Sequence, residues 1–84
     1  MFIINMFNMN IERINNSIVF DKGQKYVYPM NAIMLIANDD SKSINVRLKA
    51  SRKNVLTFNY DEVSNLTANS ATEMIELISM LSNK

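Results

Sequence analysis

Five basic side chains, Lys42, Arg47, Lys49, Arg52 and Lys53, fall between positions 41 and 60 with no acid among them. Such a strip could follow a phosphate backbone or face an acidic protein partner, with Tyr26, Tyr28 or Tyr60 offering rings on which unpaired bases stack. The plainer reading is a solvated sheet face whose charged hairpin discourages edge pairing. Acids flank the strip: Asp39 and Asp40 before it, then Asp61, Glu62, Glu73 and Glu76 after it. Asp39, Asp40, Asp61 and Glu62 are the candidates for a metal site or an acid pair. No third ligand stands at a recognisable spacing from them, and a catalytic carboxylate pair needs a cleft that a short chain rarely provides.

The chain has no His and no Cys. That excludes imidazole acid–base chemistry, thiolate metal sites and disulfide staples. A single Gly cannot build a phosphate-cradling loop, and no spacing of Ser and Lys marks a nucleophile with its base. The reading is a non-enzymatic protein with no catalytic, cofactor-binding or metal residues.

The elements that would position the basic strip follow from periodicity. Ile44, Val46, Leu48 and Ala50 alternate with Asn45, Arg47 and Lys49, the period of a strand with one wet face. Residues 51–54 turn the chain, and residues 55–60 return it, with Leu56, Phe58 and Tyr60 on one side and Val55, Thr57 and Asn59 on the other. Arg47 and Lys49 then share an outward face, with Arg52 and Lys53 at the hairpin tip. Residues 32–37 are apolar on both faces, which predicts a central strand covered from two sides. Residues 17–20 and 25–28 flank a turn in which Gly23 supplies a positive φ, and Pro29 ends that strand or holds it at an edge. A short strand is expected over residues 2–7.

The last element is a helix. Ser70 and Glu73 fit a capping box, each side chain reaching the other's backbone amide. Ala71, Met74, Ile75, Ile78 and Leu81 follow on one face, predicting a helix over residues 70–82. The sequence shows no internal repeat or linker. The expected fold is α+β, one domain over residues 1–84: an antiparallel β-meander of four to five strands over residues 17–60, one C-terminal α-helix packed on the sheet, and residues 1–16 as a strand or docking segment.

An 84-residue chain that is 48% hydrophobic has more apolar side chains than a lone small fold easily covers, because a domain near this size buries only roughly 60% of its unfolded surface. One helix covers one sheet face. The run 32–37 carries Ile33, Leu35 and Ala37 on one side and Ala32, Met34 and Ile36 on the other, so one set needs a further cover. Burial is worth about 1.5–3 kcal/mol per large side chain, comparable in sum with the stability of a small domain. The N-terminal run or a second subunit must supply that cover. The candidate assembly surface is Phe2, Ile3, Ile4, Phe7, Leu77 and Met80, in a chain with seven Met, a residue that adapts to partner surfaces. The expected partners are a second copy or other particle proteins, with nucleic acid the second choice.

The opening run lacks the positive n-region and the small-residue cleavage site of a signal peptide. No window approaches the length of a membrane span. The reading is a protein that is not secreted by a signal peptide and has no membrane partner. Thirteen Asn and ten Ile point to AT-rich coding.

The stretch Val55-Leu56-Thr57-Phe58-Asn59-Tyr60, a short polar loop and Ser70-Ala71-Thr72-Glu73 opening the last helix resemble the ends of small virion-associated proteins of tailed bacteriophages. The composition is similar to that of phages of AT-rich gut bacteria, the crAss-like group included. The resemblance covers about the last 40 residues and carries no diagnostic motif. It implies a non-enzymatic part of a particle, such as an auxiliary capsid or head-decoration subunit, located in the virion or the host-cell cytoplasm. The alternative is a sheet-based single-stranded nucleic-acid-binding protein, whose site would be the basic strip.

Overall fold

The computed structural model describes residues 9–84. Within them the chain is α+β: six antiparallel strands in two sheets and one C-terminal helix. Strands β1 (Asn10–Ile14), β2 (Ser17–Asp21) and β3 (Lys25–Pro29) form the first sheet in that order. A 3₁₀ turn, Met30–Ala32, leads into β4 (Ile33–Asn38), β5 (Ser43–Leu48) and β6 (Asn54–Asn59), the second sheet. Another 3₁₀ turn, Tyr60–Glu62, and a polar loop precede helix α1 (Ala71–Ser79). The expected single meander is thus two three-stranded sheets, because the 3₁₀ turn after Pro29 redirects the chain before β4 begins. The strand expected over residues 2–7 lies outside the described residues.

Local chemistry explains each turn. Ile14 and Ser17 pair across Asn15 and Asn16, which take φ of 50° and 66°. Asn tolerates the left-handed region, and two such residues in succession make the two-residue hairpin whose twist suits antiparallel strands. Gly23 takes the expected positive φ, 85°, and its amide donates to Asp21 Oδ1 at 3.1 Å. Asn38 Oδ1 accepts from the amides of Asp40 and Ser41, at 3.1 and 3.2 Å, and so holds the turn after β4. Between β5 and β6 the register shifts beside Val46 and Arg47, so that Val55 is an extra residue on β6. The expected alternation breaks there: Val55 and Leu56 both pack against the core.

The inner faces meet in one core. Ile11, Ile18 and Phe20 from the first sheet join Ile33, Ile44, Val46 and Phe58 from the second, with Ala71, Met74 and Ile78 from α1. The Phe20 and Phe58 rings lie 5.8 Å apart, tilted by 48°, and tie the two sheets together. Helix α1 packs on β4 and β5. Ser70 caps it as expected, accepting from the Glu73 amide at 3.0 Å. The Glu73 carboxylate instead reaches the amide of Asn69, at 3.1 Å.

The helix is shorter than the predicted 70–82. It stops at the C-cap Met80, and residues 83–84 turn to β1, where the Lys84 amide donates to the Arg13 carbonyl at 2.9 Å and Asn83 Oδ1 accepts from the Asn16 amide at 3.2 Å. Strand β4, expected to be central, is the margin of its sheet, with β5 central. The hairpin's first strand also ends early, at Leu48, which leaves Lys49 and Ala50 in the turn.

Both halves share one plan that residue identities hide. Each has three antiparallel strands in chain order, then a 3₁₀ turn, then a buried β-branched residue, Ile33 in one half and Val63 in the other. Val63 bridges Met9, so the exit of the second half lies against the entrance of the first.

Candidate assembly and binding surfaces

The basic strip does not form one patch. Lys42 sits in the turn before β5 with φ of 59°, whereas Lys49, Arg52 and Lys53 lie in the loop after β5. A six-residue strand separates them, about 17–20 Å. Arg47 is half-buried on the outer face of β5, where its Nε donates to Asn54 Oδ1 at 3.0 Å. Lys42 is therefore held at one end of β5, whereas Arg47, next to last in the strand, and Lys49, Arg52 and Lys53 in the loop after it fall toward the other.

The aromatic partners are also displaced. In the β2–β3 register Tyr28 opposes Ile18 and Tyr26 opposes Phe20, so both tyrosines stand on the core side. The Tyr28 ring lies 6.4 Å from that of Phe20. Both are half-buried and pack against the core, as does Tyr60 in its 3₁₀ turn. They serve as core edges, not as an open stacking platform.

Of the four candidate acids, Asp39 and Glu62 have structural partners among the described residues. Asp39 Oδ1 accepts from the Thr72 amide at 3.0 Å and its Oδ2 from the Thr72 hydroxyl at 2.8 Å, which pins the turn after β4 to the first turn of α1. The Thr72 hydroxyl, then the Thr72 amide, hold the Asp39 carboxyl below its ordinary value of 3.8. Glu62 accepts from the Asn59 amide at 3.2 Å and lies 3.6 Å from Lys22. Glu12 meets the Lys84 ammonium at 2.8 Å, and that bond and charge lower its carboxyl pKa from 4.5. Among the described residues no three acids gather into a cluster able to hold a metal ion.

The role of Asp39 was hidden because its partner lies 33 residues away. A further signal was local: Asn15-Asn16 between Ile11–Ile14 and Ile18–Phe20 is a hairpin pattern, and it marks β1.

Of the expected assembly residues, Phe2, Ile3, Ile4 and Phe7 lie outside the described residues. Leu77 is half-buried, and Met80, just past α1, is 76% exposed. Among the described residues the other exposed large apolar side chains are Ile14, Val27 and Met34. On the outer face of the first sheet Ile14 and Val27 flank the more buried Val19 in a shallow groove rimmed by Glu12, Asp21 and Lys25. On the outer face of the second sheet Met34, 47% exposed, stands two positions from half-buried Ile36. A small apolar cleft of about 190 Å³ opens where Ile75 and Ile78 of α1 face Met30, Ile33 and Leu35. Near the β1–β2 turn a polar cleft is lined by Arg13, Asn15, Asn16 and Asn31. There Arg13 Nη2 donates to Asn16 Oδ1 at 3.3 Å, and its buried Nε has no partner among the described residues.

Comparison of the chain with protein-family models, curated proteins and solved structures found no match. The geometry alone therefore ranks these surfaces. Among the described residues no helix is long and apolar enough to cross a membrane.

Proposed function

We propose that this protein is a non-enzymatic structural or assembly subunit that works by presenting apolar sheet surface to a second copy or to neighbouring proteins. The observation that carries this reading is the outer side of β4. Ile33, Leu35 and Ala37 face the core, while Met34 and Ile36 occupy the opposite face with no described element over them. Single exposed apolar residues are ordinary on a protein surface. Here exposed Met34 and half-buried Ile36 alternate on one marginal strand, while the core closes without them.

The resemblance of the C-terminal forty residues to small virion-associated phage proteins supports an auxiliary role in a phage particle. The split basic strip and the inward tyrosines weigh against the single-stranded nucleic-acid alternative, which needs charge and rings on one face.

Sedimentation equilibrium of the full chain tests the self-association half of the reading. A mass above that of one 9.7 kDa chain is expected. A protein that stays monomeric up to its solubility limit, and that does not co-sediment with purified particles of its source, overturns the proposal.

A further inference from the structure

Among the described residues four strands lie at sheet margins, β1, β3, β4 and β6, and three of them carry a device against pairing with another strand. The outer edge of β1 is occupied: Met9 bonds to Glu62 and Ser64, the Asn65 side chain bonds both backbone groups of Ile11, and Lys84 bonds Arg13. On β3 the Met30 amide donates to the Asn16 carbonyl at 2.9 Å, and the alternation this sets turns the backbone of Lys25, Val27 and Pro29 outward. Pro29 has no N–H to offer there. Strand β6 has its bulge at Val55, and Glu62 holds the Asn59 amide.

Strand β4 has no such device. It contains no charge, no Pro and no bulge, and its register with β5 is unbroken from Ile33 to Asn38. The Lys49 amide donates to the Ala32 carbonyl at 3.0 Å. Alternation then directs the backbone of Met34, Ile36 and Asn38 to β5 and that of Ile33, Leu35 and Ala37 away from it. Among the described residues no group bonds those outward amides and carbonyls.

We infer that β4 pairs antiparallel with β4 of a second copy about a two-fold axis at Leu35, joining two three-stranded sheets into one continuous sheet. The inference rests on the self-association reading above and adds the surface, the symmetry and the register. A two-fold contact must be self-complementary, and this strand is. With Leu35 opposite its own mate, Ile33 faces Ala37, and every outward donor and acceptor from Ile33 to Ala37 finds a partner. On the outer face exposed Met34 lies opposite half-buried Ile36, so the two cover each other across the axis. No like charges meet, since Asn38 falls opposite Ala32 and Asp39 opposite Asn31.

The test uses full chains and the Met34–Ile36 cross-strand pair. One variant carries Met34→Lys with Ile36→Lys, the other Met34→Glu with Ile36→Glu; circular dichroism checks that each is folded. Wild type is expected at twice 9.7 kDa by sedimentation equilibrium. Each variant alone should dissociate, with a Kd raised roughly tenfold or more, because like charges then stand opposite one another. Mixing the two should restore a mixed dimer, since each Lys then opposes a Glu. A wild-type dimer whose Kd neither variant changes keeps the self-association reading and overturns the β4 pairing. So does a pair of variants that dissociate alone and fail to combine. A wild-type monomer overturns both.

Discussion

The seal on β1 makes the most quantitative prediction. Asn65 acts as a short piece of strand: its Oδ1 accepts from the Ile11 amide at 3.0 Å and its Nδ2 donates to the Ile11 carbonyl at 2.7 Å, both part-buried. A typical intramolecular hydrogen bond contributes about 0.5–1.5 kcal/mol net, so Asn65→Ala should cost about 1–3 kcal/mol. The whole stability of a domain this small is of order 3–5 kcal/mol. At about 4–8 °C per kcal/mol for this size, the melting temperature should fall by roughly 5–20 °C. Asn65→Asp keeps an acceptor for the Ile11 amide but sets a carboxylate oxygen against the Ile11 carbonyl, so it should be no better than Ala. Thermal melts at neutral pH provide the comparison, and the Ile11 amide should exchange faster with solvent in both variants. An Asn65→Ala protein that melts within about 2 °C of wild type would show that the amide seal contributes nothing and that the neighbouring backbone bonds suffice.

Phe20→Ala should destabilise by about 3–5 kcal/mol, most of the available stability, so the variant should be largely unfolded by near-ultraviolet and far-ultraviolet circular dichroism at 25 °C; a cooperative melt close to wild type would contradict the role of the Phe20–Phe58 contact. Asp39 and Glu12 both have folded pKa values below their ordinary ones, so each adds stability above its unfolded value that is lost as pH falls through the lowered folded value. The urea midpoint should therefore be flat from neutral pH to about 5 and drop below 4, and Asp39→Asn should start lower at neutral pH yet lose less on acidification; an unchanged acid response would count against the Thr72 contact. A fluorescent single-stranded oligonucleotide should bind weakly at low salt and not at all near physiological salt, with little change in Arg47→Ala plus Lys49→Ala; tight binding abolished by those substitutions would revive the nucleic-acid reading.

Much of the local structure was legible in the residues themselves. Alternation marked β5 and β6, Gly23 and Pro29 marked a turn and a strand end, and Ser70 with the apolar face of Ala71, Met74 and Ile78 marked the helix. Those signals depend on a period, a cap or a special φ, and each acts within a few residues. The candidate surfaces were less legible. The basic residues lie close together in sequence, but Lys42 and Lys53 stand at opposite ends of β5, because a strand turns closeness along the chain into distance. The apolar run 32–37 identified β4 as a strand that needs company without saying where it sits in a sheet.

Sequence determined that the protein is α+β, that it has a capped C-terminal helix, and that it has neither the imidazole nor the thiolate from which most small active sites are made. Tertiary structure decided the rest. It divided the strands into two sheets and turned the tyrosines inward. It recruited Asp39 to α1 and Asn65 to β1, and it left β4 at a sheet margin where no described residue bonds its outward backbone. The reason is range: turns, caps and the devices on β3 and β6 are set by neighbours in sequence, whereas β1 is sealed by Glu62, Ser64, Asn65 and Lys84, which lie more than fifty positions away and whose arrival only the packed core fixes.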